Sequence, residues 1–158
     1  RLDNVDILIN NAGILRNESL ADLSSLRIDQ IHDQFVTNSV APLLFTYHFL
    51  DTLTAGSKVV MITSRMGSIT DNDSGGRYGY RMSKAALNAA SQSLAVDLKD
   101  KEIAVGVFHP GWVQTEMTGY SGPLTVQESA QGLISNIEAL DMSTSGVFRH
   151  VNGDVLSW

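Results

Sequence analysis

Residues 5–13 read Val-Asp-Ile-Leu-Ile-Asn-Asn-Ala-Gly, a short apolar run stopped by two amides, an alanine and a glycine. Such a run, closed by turn formers, is the pattern of a strand buried on both faces. The pattern returns at Lys58 to Thr63 (KVVMIT) and at Ile103 to Phe108 (IAVGVF). Each run gives way to polar or Gly/Pro residues and then to a long segment of helical character. Strands alternating with helices at this spacing predict parallel strands joined by helical crossovers, hence a doubly wound α/β sheet. A final strand is expected at Val147 to Val151, ahead of a Gly153-Asp154 turn and Trp158.

The first long helix is expected over Leu26 to Leu53. Ile28, Ile31, Phe35, Phe45 and Phe49 fall on one stripe at the helical period, and Asn38 and Pro42 share it. A carboxamide on an apolar face needs buried partners or costs about 1–3 kcal/mol of desolvation. A proline inside a helix frees a carbonyl for such partners. Asn38 is therefore a candidate functional residue. The second helix, Tyr80 to Lys99, carries Ser83, Ala85, Ala86, Ala89, Ala90, Ser91, Ser93 and Ala95. That small-residue face permits close approach of a sheet or of a second subunit, so it is compatible with a homo-oligomer. A shorter helix is expected over Val126 to Ala139.

Composition narrows the function classes. The 158 residues are 43% hydrophobic and 18% charged, as in one compact globular domain. Eleven basic and seventeen acidic residues give a formal charge of −6 with no long like-charge block, which argues against nucleic acid and anionic membrane as partners. The absence of cysteine excludes disulfides and thiolate chemistry. His32, His48, His109 and His150 lack ligand spacing, so no metal site is expected. No apolar run approaches the roughly 18 residues of a membrane span, and the start has no leader pattern. The cytoplasm is the default compartment.

Candidate chemistry lies at the ends of the strand-like runs. Tyr80 and Lys84 stand one helical turn apart and share a face. A phenol titrates at about 10, and a fixed ammonium beside it favours the phenolate. Such a tyrosine can exchange a proton with a carbonyl oxygen near neutral pH. Taken alone, the spacing fits a solvated helix-start pair better. Ser64 ends the second run, where open parallel sheets bind ligands, and its hydroxyl could support developing negative charge on a substrate oxygen. It also fits a strand-end serine capping a turn. Asn10, Ala12 and Gly13 follow the first run and Pro110, Gly111, Val113 and Thr115 the third, either as cofactor loops or as plain turns.

The joint arrangement is what points to an enzyme. Asn-Asn-Ala-Gly follows one strand, Ser64 the next, Tyr-x-x-x-Lys opens a helix and Pro-Gly follows the third strand. With these features, and with S-R-M-G-S-I, S-G-G-R-Y-G-Y-R-M-S-K-A-A-L-N and H-P-G-W-V-Q-T-E-M, the sequence resembles the short-chain dehydrogenase/reductase family over essentially the whole chain. The branch it is most similar to includes C-factor signalling proteins and sniffer-like carbonyl reductases. The resemblance implies the C-terminal part of a Rossmann-like doubly wound parallel sheet and hydride transfer between NADP or NAD and a small carbonyl or alcohol, with NADP favoured by the branch. It implies Tyr80 as acid/base, Lys84 as the ligand of the nicotinamide ribose that also lowers the tyrosine pKa, and Ser64 polarising the substrate oxygen. Asn38 would hold a water linking Lys84 to solvent. Asn10, Ala12, Gly13, Pro110 and Gly111 would line the cofactor, while Val113 and Thr115 would meet its carboxamide. Tyr78 is the rival to Tyr80, but the residue four beyond it is Met82 rather than lysine.

The sequence departs from the family in lacking the glycine-rich phosphate loop and the residue that selects NAD or NADP. In the strand order 3-2-1-4-5-6, the first strand here would be the fourth. Residues 1–158 are thus expected to form a single, N-terminally incomplete NAD(P)-binding domain whose first strand is an unpaired apolar edge that invites association. The alternative reading is a truncated or signalling protein that keeps the fold as an interaction surface without turnover.

Overall fold

The computed structural model describes residues 3–16, 18 and 26–158. Four parallel strands lie side by side in chain order: β1 (Ile7–Asn10), β2 (Lys58–Ile62), β3 (Ala104–His109) and β4 (Phe148–His150). Ile7 stands opposite Lys58, Lys58 opposite Ala104 and Val107 opposite Phe148. Because the strands run the same way, the loops after β1, β2 and β3 all leave from one edge of the sheet. The ends shift slightly from the sequence expectation. Val5 lies outside the ladder and donates its N–H to the Thr52 carbonyl at 2.9 Å.

Helices cover both faces, as a doubly wound sheet requires. On one face Leu8, Val59, Met61, Val105, Val107 and Phe148 pack with Leu87 of α3 (Tyr78–Asp97) and with Leu53, Leu98 and Ile103. On the other face Val60, Ile62, Ala104 and Phe108 meet Ile137 of α4 (Val126–Ala139) and Leu140 just beyond it. Each large apolar side chain fully buried contributes roughly 1.5–3 kcal/mol, so the two central strands carry the core. α4 starts where its sequence dictates: the Thr125 hydroxyl accepts from the Glu128 N–H at 3.2 Å, and the Glu128 carboxylate accepts from the Thr125 N–H at 2.8 Å.

Two sequence expectations change. β1 is covered on one face only: Leu8 and Asn10 are buried, while Ile7 and Ile9 are 47% and 50% exposed. The apolar cluster under α4 includes no β1 residue, and β1 is an edge of the sheet, as expected. The long first helix is also not one regular helix. It divides into α1 (Ile28–Phe35), a wide turn at Val36–Val40 and α2 (Ala41–Phe49), with a tight turn at Leu50–Thr52. In the wide turn the Ala41 N–H reaches back five residues to the Val36 carbonyl. Pro42 explains it, since proline offers no N–H to the Asn38 carbonyl and its ring would strike that carbonyl in a regular helix. The extra residue breaks the periodic arithmetic. Ile28, Phe35 and Phe45 face outward, and the buried side consists of Gln34, Asn38, Ser39, Pro42 and Thr46.

Candidate active site

The loops leaving β1, β2 and β3 border one cleft of about 1270 Å³. Ala12 and Gly13, Ser64, Tyr80 and Lys84, and Pro110, Gly111, Val113 and Thr115 all line it. Tyr78 does not appear on this wall and is half-buried elsewhere on the first turn of α3. Asn38 and Asn10 are also absent from the lining.

Tyr80 and Lys84 are both buried, one turn apart on α3. The Lys84 ammonium lies 5.8 Å from the centre of the Tyr80 ring and donates to the Ile62 carbonyl at 3.0 Å. One of its three N–H groups is thereby used, and the group remains on the cleft wall. Burial pushes Lys84 down from 10.5 to about 8. Gly13 sits against it: a Cβ there would stand 3.5 Å from Lys84 Nζ and 3.3 Å from Asn38 Oδ1. Ser64 closes β2 with its hydroxyl accepting from the Met66 N–H at 3.1 Å, so it also caps the tight turn Arg65–Gly67. Gly67 in that turn presses on α3, where a Cβ would stand 2.8 Å from the Lys84 carbonyl carbon.

The sequence expectation that Lys84 makes the Tyr80 phenol acidic is not met in the protein by itself. Burial raises the Tyr80 pKa above 10, and the opposing pulls come from the Ser64 hydroxyl and the Arg77 charge. Desolvation outweighs both because the phenolate would be formed in a site shielded from water.

A ladder of side chains on the buried face of α1 and α2 holds the loop after β1. Thr46 accepts from the Asn10 carboxamide at 3.2 Å, and Asn38 accepts from the Ile14 N–H at 2.8 Å. Gln34 accepts from the Arg16 N–H at 2.8 Å and donates to the Glu18 carboxylate. The Asn38 carboxamide further donates to the Ile14 carbonyl at 2.8 Å and to the Ser83 hydroxyl at 2.9 Å. Asn10 is thus spent on packing against α2, and the amide at the cleft is Asn11. Both N–H groups of the Asn38 carboxamide are committed to residue 14 and to α3, and its oxygen holds the Ile14 N–H. Gln34 was not singled out from the sequence, although the four-residue spacing of Gln34, Asn38, Pro42 and Thr46 is a signal that could have found it.

The loop after β3 is shaped by Gly111, whose φ of 84° is open to glycine and whose missing side chain leaves room for Leu124 Cδ1, 2.5 Å from where a Cβ would stand. The Ser129 hydroxyl donates to the Pro110 carbonyl at 2.7 Å and ties the loop to α4. His109, also unflagged by the sequence, lines the cleft. Burial pushes it down to about 4, helped by the charges of His150, Arg65 and Lys84. Its ring lies 5.1 Å from that of His150. Among the described residues no group of three or more His, Asp or Glu could hold a metal, and no helix is long and apolar enough to cross a membrane.

Comparison with known proteins fits this geometry. The family profile described as short chain dehydrogenase matches residues 1–123. The chain belongs to that family. It is 38% identical over 156 residues to the C-signal of Myxococcus xanthus, covering 98% of this chain and 93% of that protein. In structure it is similar to the carbonyl reductase Sniffer of D. melanogaster, with a TM-score of 0.92 and 34% identity over 99% of this chain and 67% of that one. An NADPH-bound carbonyl reductase from chicken fatty liver matches with a TM-score of 0.89 and 31% identity, again over 99% and 67%. The family is one of oxidoreductases, and the Rossmann-like parallel sheet expected from the sequence is the architecture these neighbours share.

Proposed function

We propose that the protein reduces a carbonyl, or oxidises the corresponding alcohol, with a nicotinamide cofactor, NADP in preference to NAD, and with Tyr80 as the acid/base. The observation that carries the reading is the buried Tyr80–Lys84 pair at the edge of the sheet, beside Ser64. The residues present fit the nicotinamide end of the cofactor. Lys84 has N–H groups beyond the one bound to Ile62, Gly13 leaves space beside it, and Asn11, Ala12, Gly111, Val113 and Thr115 offer backbone and small side chains on the same wall. The NADPH held by the chicken carbonyl reductase supports the choice of cofactor.

When bound, the nicotinamide supplies or accepts the hydride. The Ser64 hydroxyl donates a hydrogen bond to the substrate oxygen as charge develops there. Tyr80 gives that oxygen its proton. Burial keeps the phenol protonated at neutral pH, which is the form reduction needs. Lys84, still charged below about 8, stabilises the phenolate left behind. Asn38 keeps residues 13 and 14 in register with Lys84.

Replacing Tyr80→Phe tests the assignment. Turnover of a carbonyl substrate with NADPH should fall by orders of magnitude while NADPH affinity changes little, and unchanged turnover removes Tyr80 from the chemistry. A second reading, a signalling or interaction protein without turnover, is favoured by the match to nearly the whole length of the C-signal. It requires that the native protein show no hydride transfer to any carbonyl while keeping its biological effect after Tyr80→Phe.

A further inference from the structure

The cleft wall carries a sign of charge opposite to that of the molecule. The chain has a formal charge of −6, yet among the described residues the ionised side chains lining the cleft are Arg65, Arg77, Lys84 and one carboxylate, Glu116. Two of the cations have evident partners. Lys84 donates to Ile62 and belongs to the Tyr80 pair, and Arg65 is ion-paired with Asp71. Arg77 is different. Among the described residues no carboxylate lies within ion-pair distance of it, and its guanidinium meets only the Met66 thioether, at 3.6 Å, a weak acceptor.

The backbone fixes the point from which this side chain departs. Arg77 adopts the left-handed conformation, φ 50° and ψ 46°, uncommon for a residue with a side chain. Its N–H is tied to the Glu18 carbonyl at 2.9 Å, and α3 begins at the next residue. The side chain therefore leaves the main chain three residues before Tyr80 and on the same cleft wall. Its charge reaches the phenol, since it is one of the two influences that favour the phenolate there. A guanidinium presents a planar fork of N–H donors that matches a carboxylate in two parallel hydrogen bonds. A cleft walled by cations in an acidic protein also concentrates anions from solution.

We propose that Arg77 is a specificity-determining residue and that the substrate is a carbonyl compound bearing a carboxylate, which Arg77 binds while Ser64 and Tyr80 receive the carbonyl oxygen. The proposal rests on the carbonyl-reductase reading for the position of the reacting oxygen, but the anion subsite can be tested apart from turnover. The probes are 4-formylbenzoate and its methyl ester, which share one aldehyde and differ in charge. Calorimetric titration of the native protein should show the carboxylate form binding about tenfold more tightly or better, as charged hydrogen bonds imply, and the preference should shrink as salt is added. Arg77→Gln should bring the two affinities together, Arg77→Lys should retain part of the gap, and Tyr80→Phe should leave it intact. Because the Arg77 side chain is exposed, matching circular dichroism spectra will show that the variants fold. Equal affinities in the native protein, or a preference that survives Arg77→Gln, would overturn the subsite. A clear preference with no turnover of either aldehyde keeps the subsite and counts against the reductase reading instead.

Discussion

Replacing Asn38→Ala tests the ladder that holds the loop after β1. The side chain is fully buried, donates to the Ile14 carbonyl at 2.8 Å and to Ser83 Oγ at 2.9 Å, and accepts from the Ile14 N–H at 2.8 Å. Alanine removes all three bonds. Ser83 keeps a partner, because its hydroxyl still donates to the Tyr80 carbonyl at 2.8 Å. The Ile14 N–H and C=O lose theirs. A buried polar group left unpaired costs about 1–3 kcal/mol each, and Ile14 is only half-buried, so the low end applies to both. With the small cavity left by the carboxamide, the expected loss is about 2–4 kcal/mol. Urea unfolding followed by far-ultraviolet circular dichroism at pH 7 measures it. Asn38→Asp is the companion variant. It can still accept from the Ile14 N–H, but it sets a carboxylate oxygen against the Ile14 carbonyl and cannot donate, so it should destabilise at least as much. A loss below about 1 kcal/mol for alanine, or aspartate as stable as asparagine, would refute the claim that this carboxamide fastens the loop.

Lys84→Met should stabilise the protein at pH 7 while turnover collapses. Burial takes Lys84 from 10.5 to about 8, so the unfolded chain binds more protons between those values; the penalty is full below about 8 and relieved as pH rises toward 10.5. That fall is worth about 3 kcal/mol, less about 1 for the lost bond to Ile62, leaving a gain of about 2 kcal/mol in urea unfolding; a destabilised variant at pH 7 would contradict it. His109→Gln should flatten the acid side of the stability profile. The native ring sits at about 4 instead of 6.5, so the unfolded chain takes up more protons in that window and native stability is lost as pH falls through it; a variant with the same slope between pH 6.5 and 4 would show that another group is responsible. Gly67→Ala should push the serine loop off α3, since the new methyl would meet the Lys84 carbonyl carbon at 2.8 Å and Asn88 Nδ2 at 2.9 Å. We expect a loss of about 1–3 kcal/mol and a fall in kcat greater than the rise in KM, because Ser64 is displaced; a change in KM alone would argue that the loop had not moved.

Sequence by itself determined the parallel sheet, the shared face of Tyr80 and Lys84 and the start of α4, because each follows from chemistry repeated within a few residues. VDILI, KVVMIT and IAVGVF are strand-like on their own, a four-residue step on a helix aligns two side chains, and Thr125 with Glu128 caps a helix locally. Only the tertiary structure decided which side of the Leu26–Leu53 segment is buried, since the turn at Val36–Val40 displaces the residues after it and the buried Gln34, Asn38 and Thr46 are satisfied by a loop far away in the chain. The same holds for Asn10 turning to α2, for His109 and Arg77 reaching the cleft and for the direction of the Tyr80 pKa. Burial of a polar group is permitted or forbidden by partners and desolvation supplied from distant parts of the chain, and no local pattern carries that information.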